Sequence, residues 1–177
     1  ADAIVPNSNS QGKFICNNFP FLSKKVHPII NFVDMKRFTP SETPSENNTL
    51  HIVTVARYAP QKNVLTYLKA VRIVKDMGLK VHFDWYGDKI HYAAYYAEIE
   101  TEYQRLDVAD YLTLHDPNQK IEEEYRKSDM FCLPSLFEGY PNVVAEAMSC
   151  GLPIICSNVY ENPYIVEEGV NGFLFDP

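Results

Sequence analysis

Pro134-Ser-Leu-Phe-Glu-Gly-Tyr-Pro-Asn-Val-Val-Ala-Glu-Ala-Met-Ser-Cys-Gly151 reads as the end of a strand, a loop and a short helix, with carboxylates at Glu138 and Glu146. Pro141 has a fixed φ and no N–H, which suits the first position of a helix. Val143 to Met148 continue it with apolar, mostly helix-compatible residues, and Gly151 stops it. The first turn of such a helix presents free amides and partial positive charge to the preceding loop, the ordinary way a protein holds a phosphate. Glu146, on the early turns, is placed to accept from hydroxyls. An anionic, polyhydroxylated ligand fits this pattern.

Outward from that stretch the chain alternates regularly. Leu50 to Ala56 is a β-rich run, and Asn63 to Met77 carries Val64, Leu68, Val71 and Val74 at helical spacing before Gly78. Lys80 to Tyr86 predicts a strand closed by Gly87, and Tyr92 to Arg105 a tyrosine-rich helix. Tyr111 to Leu114, Met130 to Pro134, Pro153 to Ser157 and Gly172 to Phe175 supply four more short strands. Helical stretches at Ile121 to Lys127, Val143 to Met148 and Pro163 to Glu168 separate them. Strand and helix in alternation predict an α/β, Rossmann-like parallel sheet with helices on both faces.

Before this unit, Ala3 to Asn7 and Lys25 to Asn31 read as two short strands flanking helical material broken at Pro20. Phe38 to Asn48 has the Pro-, Ser-, Glu- and Asn-rich composition of a linker, so residues 1–48 are expected to be a domain remnant and linker, and 49–177 the main domain.

The 177 residues are 46% hydrophobic, enough for a buried core, and carry a net charge of −7. That balance argues against a nucleic-acid partner held by a general basic surface. No segment has the length and apolarity of a membrane span, and no signal-peptide pattern opens the chain, so the cytoplasm is the expected compartment. Cys16, Cys132, Cys150 and Cys156 show no metal spacing and read as buried thiols. The sequon at Asn47-Asn48-Thr49 reads as a polar loop.

Ligands of parallel sheets bind beyond the carboxyl ends of the strands. Three loops then face one crevice: Arg57 to Asn63, Gly87 to His91 and Ser135 to Asn142. Arg57 and Lys62 stand there opposite the helix that begins near Pro141, able to neutralise a diphosphate as a planar fork and a movable point charge. Taken singly they are also ordinary solvated cations, Glu138 an ordinary loop carboxylate and Glu146 an exposed helix residue. Of the histidines, His51 and His82 fall within strands and read as packing residues, and His115 ends a strand on the crevice side. Tyr92, Tyr95, Tyr96 and Tyr103 read as a partly buried packing face.

Phe137-Glu-Gly-Tyr-Pro-Asn-Val-Val-Ala-Glu-Ala-Met-Ser-Cys-Gly-Leu-Pro-Ile154 resembles the E-x7-E signature of family 4 (group 1) retaining glycosyltransferases, which have the GT-B fold. Val53 to Lys62 resembles the family's V-G-R-L…K-G element, Ile29 to Asp34 with Phe38-Thr-Pro40 its N-G-V-D…F-x-P segment, and Asn171 to Pro177 its N-G-x-L-x-x-P end. The resemblance implies that the chain is mainly the C-terminal nucleotide-sugar-binding domain, truncated at its end. It implies hexose transfer from a UDP-, GDP- or ADP-sugar with retention of configuration, without a metal. It implies that Arg57 and Lys62 hold the donor diphosphate, Glu138 lies near the sugar hydroxyls, and Glu146 accepts from the ribose. The amides of Gly139, Tyr140, Pro141, Asn142, Val143 and Val144 match the loop that cradles sugar and phosphate, Gly87 the glycine loop after the second strand, and the turn near His115 would flank the base.

Here Gly87 is followed by Asp88 and Lys89, and Asn63 stands where glycine often follows the lysine. A glycan or lipid-linked acceptor would be held by the missing N-terminal domain, which in the full-length protein can also bring the enzyme to the inner face of a membrane. The fragment alone is expected to be inactive. A nucleotide-sugar-binding fragment and a GT-B epimerase are the alternatives. An oxidoreductase or P-loop enzyme lacks its motif, since neither G-x-G-x-x-G nor G-x-x-x-x-G-K-[ST] is present.

Overall fold

A computed structural model describes residues 1–42 and 48–177. Six strands form one parallel sheet: β1 (Leu50–Val55), β2 (Val81–Tyr86), β3 (Leu112–His115), β4 (Met130–Leu133), β5 (Ile154–Ser157) and β6 (Gly172–Phe175), in the order β3-β2-β1-β4-β5-β6. The connecting helices are α2 (Val64–Asp76), α3 (Ala93–Leu106), α4 (Ile121–Lys127), α5 (Asn142–Ser149) and α6 (Asn162–Ile165), while α1 (Asn9–Asn18) precedes the sheet.

The helices lie on both faces because alternate strand residues are apolar on both. On one face Tyr67 of α2 packs its ring edge-on against Phe83 and Trp85, and its hydroxyl accepts from Thr54 Oγ1 at 3.2 Å. On the other, Tyr125 of α4 packs on Phe131 with ring centres 5.9 Å apart. Trp85, Leu68, Ile99, Phe131 and Ile154 are wholly buried, each side chain contributing roughly 2–3 kcal/mol by removal from water. Tyr58, in the loop after β1, is also wholly buried, its hydroxyl donating to Trp85 O at 2.8 Å and His115 O at 2.9 Å. Tyr103 donates to Leu112 O and Tyr96 packs on Tyr58, so the tyrosine face of α3 is a packing face.

Two expectations change. The runs at Ala3 to Asn7 and Lys25 to Asn31 make one parallel bridge, Ile4 with Val26, rather than strands. Pro6 and Pro28 lack the N–H that would extend the ladder. The helical material between them is α1, capped by Ser8 accepting from Gln11 N at 3.2 Å, and a 3-10 turn over Pro20–Lys25. Pro141 is the residue before α5 rather than its first position, with ψ of 101°.

The proposed boundary at Phe38 to Asn48 and the sequon at Asn47 fall partly outside the described residues. Within them, Phe38 is buried in the main core, and Arg126 donates to Arg37 O at 2.7 Å and Thr39 O at 3.1 Å. The segment before β1 is thus fastened to α4.

Candidate functional site

The strand order reverses between β1 and β4: β2 and β3 lie on one side of β1, and β4 to β6 on the other. At such a switch point the loops leaving the carboxyl ends part to leave a crevice. The loops concerned are 56–63 and 134–141, so Lys62 and Glu138 come from opposite walls of it.

The two loops are joined before any ligand arrives. Leu136 N donates to Gln61 O at 2.8 Å, and Gln61 Nε2 donates to Phe137 O at 2.8 Å. Lys62 Nζ forms an ion pair with Glu138 Oε1, the two side chains 13% and 8% exposed. Ser135 Oγ donates to the same carboxylate oxygen at 2.5 Å, and Ser157 of β5 donates to Ser135 O. Asn63, which follows the lysine, has φ of 57°. Where glycine often stands, asparagine is the side chain that best accepts the left-handed conformation, so the turn keeps its shape.

Arg57 is exposed, and among the described residues its guanidinium has neither ion pair nor hydrogen bond. Gly87 has a packing reason: a Cβ there would lie 2.0 Å from Ala56 O, so the loop after β2 can approach Arg57 only without a side chain. Tyr58 N donates to Asp88 O at 3.0 Å, and Asp88 Oδ1 accepts from Ile90 N at 2.8 Å. That bond first, then His91, holds the Asp88 carboxyl below its ordinary range.

At α5 no side chain among the described residues caps the amino end. Of its amides, Val144 N already donates to Pro141 O at 3.1 Å, and the Val144 side chain is wholly buried. Val143 is half-buried. Gly139 lies against α1, where an added Cβ would come within 3.3 Å of Gln11 Nε2, and Tyr140 beside it is half-buried. Asn142 Oδ1 accepts from Asn31 Nδ2 at 2.7 Å. Glu146 is half-buried one turn further on; burial raises its pKa, with Tyr125 Oη donating at 3.4 Å and Arg37 opposing the shift.

His115 ends β3 at the expected edge, but its Nε2 lies 2.7 Å from Asp84 Oδ1 and its ring stacks on Tyr86 at 4.2 Å. Asp84 also has His51 and His82 at 3.9 and 3.8 Å. The ring is thus held by the sheet face beside the crevice. Three of the cysteines are buried and all four are free thiols; burial pushes Cys132 and Cys156 up to about 12.

Sequence reasoning missed a fourth loop. Residues 158–161 leave β5, the neighbour of β4, and bring Tyr160 to an open pocket of about 420 Å³ with Glu138, Phe137, Gln61 and, from α1, Ser10, Gln11 and Phe14. The sheet order that makes β5 adjacent is not visible in the sequence, although the polar run Asn158-Val-Tyr-Glu-Asn162 after a predicted strand was the available signal.

The "Glycosyl transferases group 1" family matches residues 49–177, the entire sheet and its loops. The chain belongs to the group 1 glycosyl transferases. It is 30% identical over 164 residues to the UDP-Gal:alpha-D-GlcNAc-diphosphoundecaprenol alpha-1,3-galactosyltransferase of Escherichia coli, covering 86% of this chain and 41% of that protein. To the putative glycosyltransferase EpsF of Bacillus subtilis (strain 168) it is 28% identical over 167 residues, covering 89% and 42%. It therefore spans less than half the length of these relatives. Among solved structures, Anabaena Alr3699/HepE in complex with UDP-glucose superposes with a TM-score of 0.86 at 21% identity, over 100% of this chain and 50% of that one. The group 1 chain thus has the Rossmann-like fold of one half of a GT-B glycosyltransferase. Among the described residues no helix is long and apolar enough to cross a membrane.

Proposed function

We propose that this chain is the donor-binding half of a family 4, retaining hexosyltransferase that takes a sugar from a nucleoside diphosphate and delivers it to a glycan or lipid-linked acceptor. The acceptor would be held by a further domain, and the enzyme would work in the cytoplasm or against the inner face of a membrane. The observation that carries this reading is the meeting of Lys62 and Glu138 at the switch point, beside the uncapped α5 and the unpaired Arg57.

In this reading the diphosphate lies between Arg57, Lys62 and the amides leading into α5. As the glycosyl–phosphate bond breaks, negative charge grows on the leaving phosphate. A fixed ammonium and a guanidinium stabilise it with little reorganisation, and no metal is needed for charge balance. Lys62 keeps two further N–H donors while paired to Glu138. Glu138 then serves the sugar hydroxyls rather than acting as a base, and the leaving phosphate takes the acceptor proton on the same face. Glu146 accepts from the ribose, and His115 flanks the base.

Calorimetric titration with UDP-, GDP- and ADP-sugars tests this. One nucleotide should bind in preference. Arg57→Ala should weaken it about tenfold or more, the loss of a charge-assisted contact of roughly 1.4 kcal/mol or above, with thermal stability unchanged. Glu146→Ala should remove the preference for a ribose over a deoxyribose diphosphate. No binding of any donor by the parent chain, or equal binding by parent and Glu146→Ala, refutes the assignment concerned.

A further inference from the structure

β3 ends at the crevice in His115, and most polar groups of the turn that follows it are already in use. His115 O accepts from Tyr58 Oη at 2.9 Å and from Gly87 N at 3.3 Å, so both of its lone pairs are taken. Asp116 pairs with Lys89 at 2.8 Å, and Gln119 O accepts from Arg37 at 2.6 Å. Asn118 donates to Glu124 Oε1 at 3.2 Å and accepts from Lys120 N at 2.9 Å. Among the described half-buried polar side chains of residues 113–120, the atom left without a partner is Nδ1 of His115.

The ring that carries it is fixed from two sides. One face stacks on Tyr86 with centres 4.2 Å apart and planes 6° from parallel, and the Tyr86 hydroxyl is tied to Glu124 of α4 at 3.1 Å. On its edge, Nε2 lies 2.7 Å from Asp84 Oδ1. Asp84 stands opposite Thr113, two residues back from His115. Nε2 is therefore turned toward the start of the strands, and Nδ1, on the half of the ring next to Cβ, stays at their carboxyl end. His51 and His82 approach the same carboxylate at 3.9 and 3.8 Å, beyond hydrogen-bond range, so His115 is the imidazole it holds.

A carboxylate only accepts, and this decides where the proton sits. Nε2 must carry it, and in the neutral ring Nδ1 is then an acceptor. An acceptor held rigidly at the crevice edge is met by a ligand that offers an N–H. Uracil carries N3–H and guanine N1–H on the pairing edge, whereas cytosine N3 and adenine N1 are themselves acceptors. A group placed to accept a hydrogen bond rejects the analogue that lacks the donor.

We propose that Asp84 is a positioning residue that holds His115 as a hydrogen-bond acceptor, and that this pair selects a donor whose base bears a ring N–H, uracil or guanine, against cytosine and adenine. The inference rests on the proposed function for the place of the nucleotide and adds what reads its base. Asp84 acts through the imidazole, by fixing its tautomer and orientation.

Two measurements on the 177-residue chain test this. Long-range proton–nitrogen NMR spectra at neutral pH read the tautomer without a ligand. His115 should show a protonated Nε2 and a bare Nδ1, and Asp84→Asn, whose amide donates to Nε2, should move the proton to Nδ1. Calorimetric titration compares UDP with CDP and GDP with ADP, pairs that share ribose and diphosphate. In at least one pair the base with the ring N–H should bind about tenfold or more tighter. Asp84→Asn should lower that ratio about tenfold, and His115→Phe, which keeps the stack on Tyr86, should bring it within twofold of one.

A preference between UDP and CDP assigns uracil, and one between GDP and ADP assigns guanine. Nucleotides bound with neither preference, or a preference unchanged in both variants, overturn the inference and leave the donor reading standing. A proton on Nδ1 in the parent chain overturns it before any nucleotide is added. If none of the four nucleotides binds, the inference and the donor reading fall together.

Discussion

Replacing Lys62 by methionine keeps most of the volume of the side chain and removes the charge that faces Glu138. The carboxylate is 8% exposed, so water does not replace the ammonium, and the Ser135 hydroxyl still donates to it at 2.5 Å. Two unit charges in contact at an effective dielectric near 20 attract by roughly 4 kcal/mol, and part of that offsets their desolvation. Lys62→Met should therefore cost about 3 kcal/mol. Glu138→Gln should cost about 1–2 kcal/mol, because the amide oxygen still accepts from Ser135 and a lysine can turn its head to solvent. The double variant should cost about 2 kcal/mol, so the coupling is roughly 2 kcal/mol in a double-mutant cycle. Urea unfolding at neutral pH reads these values. In a chain of this size the single lysine variant corresponds to a fall in Tm of about 6–12 °C. A coupling below about 0.5 kcal/mol would mean the pair is solvated, and the two crevice walls are not locked by it.

Gly87→Ala should destabilise by more than about 2 kcal/mol in the same assay, because its Cβ would meet backbone, Ala56 O at 2.0 Å, which cannot rotate away; stability within about 0.5 kcal/mol of the parent would refute the close approach. The Glu146 carboxyl is raised by burial above its ordinary 4.5, so the folded chain binds more protons than the unfolded one just above that pH. Stability attributable to this group falls as pH rises from about 4.5 through the folded value and is flat beyond. Glu146→Gln should thus gain on the parent between pH 4 and pH 7 in paired melts, and a parent that gains on the variant would mean that Arg37 and Tyr125 outweigh burial.

The fold was legible because each strand and helix carries its own period. Val64, Leu68 and Val71 mark a helix wherever the rest of the chain lies, and the alternation of runs dictates a parallel sheet. The helix after Pro141 was legible too, from proline, an apolar run and glycine, to within one residue. What sequence does not carry is lateral order. The pairing of Lys62 with Glu138 spans 76 residues and depends on β4 lying beside β1. The capture of His115 by Asp84 depends on the register that sets Asp84 beside Thr113 and Tyr86 beside His115. The fourth crevice loop depends on β5 flanking β4. Each is a contact between strands, decided by the assembled sheet.

The two carboxylates of the E-x7-E stretch illustrate how one short sequence is divided by its surroundings. Glu138 leaves the end of β4 in a loop, where an ammonium and a hydroxyl reach it, so its charge is met inside the protein. Glu146, a turn inside α5, has among the described residues a phenol at 3.4 Å and the charge of Arg37, so its charge is under-solvated. A group with its charge already met gains little from further cations and is suited to neutral hydroxyl partners. An under-solvated carboxylate gains from each hydroxyl that donates to it, and a ribose diol supplies two. The seven residues between them place Glu138 before the helix and Glu146 within it, and this difference in position separates their chemistry.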